Sequence, residues 1–319
     1  MALSTRTRTA VTAAALGTAL LVTACGSSSS SSSAASTAGG GSSAGGASGV
    51  TVAGVSITPD PALKSALPQK YRDAGQVRVA SDVPYAPFEF FKPEGSQTIA
   101  GVDYDLGQAI GAKLGVKFAF TPQKFDGIIP AIQAGKFDAV ISAMTDNAKR
   151  QAVLTFVDYS ASGTGILVKK GNPNGIKSYK DLCGKAIAAQ SGTKQVELVD
   201  TWQKDCAGNT IQLQQYPKDS DAQLAIASGK VVASILTKPA AGWAAKQTGQ
   251  FEVAEDPAAP NGYDATPNGI GVPKADQELA TAIQKALQSL IDDGTYTKIL
   301  AEYGVEGIGL KQATINAGK

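Results

Sequence analysis

"FDAVISAMTDNAKRQ", residues 137–151, decides how the fold is read. Residues 139–143 make a short apolar run of strand type, and Met144-Thr145 ends it. Five positions beyond Thr145 comes Arg150, about one turn into an expected helix. A hydroxyl and a guanidinium therefore stand at the carboxyl end of a buried strand. That is where open α/β sheets hold their ligands.

The same strand-then-helix alternation extends in both directions. Upstream, residues 77–81 and 116–120 read as strands around a helix with Leu106, Ile110 and Leu114 on one face and Asp103 and Asp105 near its start. Phe125, Ile128, Ile129 and Ile132 form a second helical face, with Gly135 at its end. Pro130 fits that helix only if it lies in the first turn. Downstream, strands are expected at 185–190, 210–216, 231–236 and 251–255, with helices at 193–204, 221–230 and 239–247 between them. A longer helix at 276–292 and the stretch 296–304 follow. This pattern predicts an α/β protein with mainly parallel sheets.

The bulk composition removes several function classes. The 319 residues suffice for two domains, and none is histidine. Ser-His-Asp and Cys-His catalytic sets and most zinc sites are thereby excluded. Without Arg6 and Arg8, which fall in a leader segment, acids and bases balance. A neutral chain without a basic stripe points away from nucleic acid. The sequences SGKVV, CGKAI and GTGILV fall short of nucleotide-binding fingerprints, and G-x-S-x-G is missing. No cofactor or metal is implied. An enzyme using carboxylates alone stays open.

Arg6 and Arg8 precede an apolar core at 10–24, the length of a signal-peptide core rather than a membrane span. Val22-Thr23-Ala24-Cys25 resembles the bacterial lipobox, which implies a lipoprotein signal peptide at 1–25 and lipidation of Cys25. The Ser/Gly/Ala-rich stretch 26–52 reads as a disordered tether. The expected location is extracytoplasmic, anchored by lipid to the outer face of the cell membrane. Export puts Cys183 and Cys206 in an oxidising compartment, where a disulfide is expected.

GVDYDLGQAIGAKLG (101–115), SDVPYAPFEF (81–90), FDGIIPAIQAGKFDAVISAMT (125–145), QSGT (190–193) and DGTYTKILAEYG (293–304) occur together in the chain. In this combination the sequence resembles family 3, the polar amino-acid type, of the bacterial extracytoplasmic solute-binding proteins of ABC importers. Val102 and Tyr104 depart mildly from the family signature; Gly101, Asp103, Asp105 and Leu106 fit it. The resemblance implies a two-lobed periplasmic-binding-protein-like fold, two open α/β sheets joined by two crossing hinge segments. Lobe one would span 70–162 with 268–319, and lobe two 167–263. It also implies a non-enzymatic monomer that passes a small carboxylate-bearing solute to a permease and a separate ATPase. A sensor module for such a solute is the alternative reading.

By the same resemblance, Arg150 grips the solute carboxylate, helped by Thr145, the Ala143 backbone and Thr193, with Ser191 beside it. Asn147 and Lys149 stand where the family usually has Thr or Ser and Glu. A plain helix cap is the lesser alternative for Thr193. Tyr85 and Phe125 would sandwich the solute's side chain, while Phe88 is expected in the core. Asp82 matches a position that meets polar side-chain ends; the alternative is a cap on backbone. Thr237 stands where much of the family has an aspartate for the solute's α-ammonium. Asp82, Glu89 and Asp264 are the acids that could replace it.

Overall fold

A computed structural model describes residues 49–319. The expected signal peptide, Cys25 and the tether up to residue 48 lie outside the described residues. The chain then forms a hairpin of β1 (Val50–Val52) and β2 (Val55–Ile57), followed by α1 (Pro61–Ala66) and α2 (Gln69–Ala74). Residues 50–52, read from composition as the end of the tether, are thus a strand. Val52 and Ile57 are buried with Leu67 and Tyr71 in the first lobe's core, which is why this stretch is ordered.

The first lobe continues through β3 (Gln76–Ser81), the short β4 (Phe90–Phe91) and β5 (Ile99–Ala100), α3 (Val102–Leu114), β6 (Lys117–Pro122), α4 (Phe125–Gln133), β7 (Ala139–Val140) and α5 (Ala148–Gln151). β3 pairs in parallel with β6 on one side and β7 on the other. Pro130 is the sixth residue of α4, not in its first turn as the sequence suggested. β7 is shorter than the apolar run 139–143. The backbone leaves the ladder and turns left-handed at Ala143 (φ 43°), so the following residues project from the sheet's end.

The 16-residue β8 (Leu154–Lys169) then crosses to the second lobe. There follow β9 (Ala186–Gln190), α6 (Lys194–Trp202), β10 (Gln212–Tyr216), α7 (Asp219–Ala227), β11 (Ala233–Thr237), α8 (Lys238–Thr248) and β12 (Phe251–Ala254). β9 pairs in parallel with β10 and β11, repeating the first lobe's triplet. The chain returns along β13 (Tyr263–Pro273), antiparallel to β8, and ends in α9 (Gln277–Asp292), α10 (Thr295–Glu302) and β14 (Gly309–Ile315). α9 returns because Leu279, Ile283, Ala286, Leu287 and Leu290 make one buried stripe.

Both triplets are covered on both faces. Val79, Leu106, Ile110, Ile283 and Leu287 belong to one layer of the first lobe, and Ala80, Ile128, Val140 and Phe156 to the other. In the second lobe, Ile187, Leu198 and Trp202 fill one layer and Ala188, Ile226 and Leu236 the other. Double coverage explains why these strands are apolar runs rather than alternating ones. The result is the two-lobed periplasmic-binding-protein-like fold, with β8 and β13 as the crossing segments. Cys183 and Cys206 are joined by a disulfide within the second lobe.

Candidate functional site

The two parallel triplets place their strand ends opposite one another. Just beyond β7 stand Ser142, Ala143 and Thr145; β9 ends in Gln190 and leads into residues 191–193; β11 ends in Thr237. Asn147 Oδ1 accepts the Arg150 amide at 2.9 Å, which starts the single turn of α5 and aims Arg150 inward. The residue that departs from the family pattern thus still caps the turn. Lys149 pairs with Glu197 of α6, across the gap between the lobes.

Arg150 is buried. Its Nη1 donates to the Thr145 carbonyl at 2.8 Å and its Nη2 to the Gly192 carbonyl at 3.1 Å. The guanidinium carbon lies 5.5 Å from the centre of the Phe125 ring. Burial lowers its pKa to about 10, with Glu197 and Asp146 opposing the shift, so the group stays charged at neutral pH. A guanidinium has five N–H donors, so two carbonyl bonds leave donors for a carboxylate.

The opposing edge is the start of α6. Thr193 occupies the cap position, yet its hydroxyl donates to the Gln190 carbonyl at 2.7 Å rather than capping the helix. The first amides of this nine-residue helix therefore lack a side-chain cap, an arrangement suited to an anion. Gly192 has φ 77°, and a Cβ there would stand 2.9 Å from Asp126 Cα of the other lobe. Only glycine permits both the left-handed turn and this approach.

Behind β7, a buried network holds the strand end. Asp103, at the start of α3, accepts the Ala143 amide at 2.6 Å and the Tyr159 hydroxyl at 2.8 Å. Ser142 accepts the Asp82 amide at 2.9 Å and donates to Glu89 at 2.7 Å. Glu89 Oε2 and Asp103 Oδ1 have no donor. Burial pushes Asp103 up to about 6 and Glu89 well above its ordinary value; the Asp103 charge raises Glu89 further, whereas hydrogen bonds from Ala143, Tyr159 and Glu89 hold Asp103 down. A proton held between the two carboxyls would satisfy both oxygens. The Ala143 amide is consequently committed to Asp103.

Tyr85 spans the gap. Its hydroxyl lies 2.8 Å from Thr237 Oγ1 and accepts the Thr237 amide at 3.0 Å. Phe88 is fully buried beneath Tyr85, ring centres 6.0 Å apart. Asp82 accepts a hydrogen bond from the Gln190 side chain, again from lobe to lobe. Burial is the main cause raising Asp82 to about 6, and Gln190 and Lys218 hold it down.

Asp82, Tyr85, Phe125, Ala143, Thr145, Arg150, Thr193 and Thr237 line one cavity of about 20 Å³. Ser191 is not among its walls. Glu89 lines it, whereas Asp264 is not a wall residue and instead pairs with the wall residue Lys194 at 2.8 Å. Ser142, Gln190, Lys194 and Gln195 are wall residues that the sequence reading did not single out. Gln190 could have been found, because it is the last residue of a strand that points at the site. Among the described residues, no acid or cysteine cluster has the makings of a metal site, and no helix is long and apolar enough to cross a membrane.

A two-lobed body whose strand ends, helix start and buried arginine converge on one interlobe cavity has the architecture of a binding protein for a small molecule. Residues 77–306 match the family model of the bacterial extracellular solute-binding proteins, family 3, and the chain belongs to that family. It is a solute-binding protein of the kind that serves ABC importers. The arginine-binding protein ArgT of Corynebacterium glutamicum is 30% identical over 267 residues, 82% of this chain and 85% of that protein. The solved structure of an ancestral arginine-binding protein bound to arginine has a TM-score of 0.63 and 35% identity, covering 72% of this chain and 98% of its own. An ancestral amino acid-binding protein described as a precursor of cyclohexadienyl dehydratase has a TM-score of 0.63 and 32% identity, covering 74% and 98%.

Proposed function

We propose that this protein captures a small carboxylate-bearing solute, an amino acid or an analogue of one, between its lobes. The observation that carries the reading is Arg150: a buried, charged guanidinium facing an α6 start without a side-chain cap, with Thr145 at its side. Arg150, Thr145 and Thr193 form the carboxylate cradle. Tyr85 and Phe125 form the slot for the solute's apolar part, and Asp82 receives a polar or cationic end. That last assignment suits a solute like the arginine bound by the named relatives. Ala143 shapes the cradle's floor, its amide being held by Asp103.

The cavity has room for about one water molecule, so an amino acid enters only when the lobes part. We assign 70–162 with 268–319 to lobe one and 167–263 to lobe two, with hinge motion along β8 and β13. The loaded, closed form is delivered as a monomer to an ABC permease powered by a separate ATPase chain. Lipidation of Cys25 holds it at the outer face of the membrane.

Titration calorimetry with the twenty standard amino acids and their keto, hydroxy and N-modified analogues tests the proposal. Binding of at least one carboxylate-bearing member, lost in Arg150→Ala, is the expected result. No binding across the whole panel refutes it. A second reading, a carboxylate-only enzyme, draws on the dehydratase precursor among the relatives and on the buried Glu89 at the cavity wall, whose pKa burial raises. Product analysis after incubation with each panel member separates the two.

A further inference from the structure

We infer that residues 314–318 form a positioning clamp that holds the Arg150 turn against the first lobe. The inference rests on the reading of Arg150 as the solute's anchor. The contacts lie on both sides of that arginine. Asp146, which follows the cradle residue Thr145, accepts the Gly318 amide at 2.7 Å. Gln151, which follows Arg150, donates to the Gly318 carbonyl at 2.9 Å and to Asp146 Oδ1 at 2.8 Å. One residue thus ties the entry and the exit of the turn together. A Cβ on Gly318 would stand 2.2 Å from the Asp146 carbonyl oxygen, so the fit admits only glycine in this position.

The clamp is itself bolted to the crossing strand. The Phe156 amide donates to Asn316 Oδ1 at 2.8 Å, and the Asn316 amide returns a bond to the Phe156 carbonyl at 3.1 Å. Asp158, buried in β8, accepts from the Thr314 hydroxyl at 2.9 Å and from the Ala317 amide at 3.1 Å. Asp146 and Asp158 are both fully buried. Removing their donors would leave buried carboxyls under-satisfied beside the cradle, a cost the turn can relieve only by moving. Strand β14 ends at Ile315, so clamp residues 316–318 can be removed while the strand and its Thr314–Asp158 bond stay in place.

Hydrogen exchange followed by mass spectrometry on the full chain, a chain ending at Ile315, Gly318→Val and Gln151→Met tests this without any solute. Exchange in residues 145–153 should accelerate about tenfold or more in the first two variants and less in Gln151→Met, while α9 stays as protected as before. Calorimetry with L-arginine should show affinity falling about tenfold on truncation, and the truncation should cost nothing further once Arg150→Ala is present. Unchanged exchange in 145–153 overturns the inference. So does equal acceleration in α9, which would mark a general loss of fold, or strictly additive losses in the double variant. Should the intact chain fail to bind L-arginine while the turn still loosens, the clamp stands and the assignment of L-arginine as a solute falls.

Discussion

Thr237→Asp tests whether the missing acid sets the solute class. Thr237 is buried at the cap position of α8, and its hydroxyl and amide are both engaged by the Tyr85 hydroxyl. An α-ammonium placed there meets at most a shared, neutral hydroxyl, and a neutral hydrogen bond contributes about 1 kcal/mol. A close ammonium–carboxylate pair is worth roughly 2–5 kcal/mol by truncation of one partner. The new carboxylate would keep Tyr85 as donor and gain about 0.3–1 kcal/mol from the start of α8, which partly offsets its burial. The difference of a few kcal/mol corresponds to about a tenfold to several-hundredfold gain for ordinary α-amino acids. Keto and hydroxy analogues, which lack the ammonium, should bind the natural chain better and lose affinity in the variant. Titration calorimetry on both proteins reads this directly. Low-micromolar binding of a standard amino acid by the natural chain, with no gain in Thr237→Asp, would refute the reasoning.

Arg150→Ala should weaken binding of the preferred panel member by about 2–5 kcal/mol, because a desolvated carboxylate loses its charged partner; near-native affinity by calorimetry would show that the cradle lies elsewhere. Asp82, raised to about 6, gives a pH dependence: L-arginine affinity should fall as pH drops through that value, and Asp82→Asn should flatten the profile. For stability the sign is opposite: the folded state holds this proton more tightly than the unfolded chain, so acidification from about pH 7 toward 5 should relieve the cost of burying the ionised carboxyl, and thermal melts of Asp82→Asn should lack that gain. Paired Cys183→Ser and Cys206→Ser should destabilise the protein by about 3 kcal/mol in denaturant titrations, and thiol labelling of unfolded, unreduced protein should find neither cysteine free. Cys25→Ala should move the protein from the membrane fraction to the medium or leave it unprocessed; unchanged retention on fractionation would remove the anchor.

Sequence alone determined what depends on neighbours in the chain. Apolar runs alternating with helical faces specify two parallel triplets, because strands covered on both sides must be apolar and each crossover needs a helix. "SAMTDNAKR" announces a hydroxyl and an arginine at a strand's end, and Cys183 and Cys206, a pair expected in an oxidising compartment, point to their bridge. Tertiary structure decided what depends on residues far apart. Gln190 meets Asp82, and Tyr85 meets Thr237, only because the lobes face each other. Glu89 and Asp103 become a pair through the packing of α3 behind β7, and their raised pKa values come from burial that no local pattern records. Residues 50–52 look like linker by composition, but Val52 finds a core 50 or more residues away in α3. Pro130 sits deeper in its helix than local rules favour. Gly318 reads as one more tail glycine until Asp146 and Gln151 close around it. In each case the deciding term is desolvation or a hydrogen bond between distant residues, and its strength exists only once the chain has folded around it.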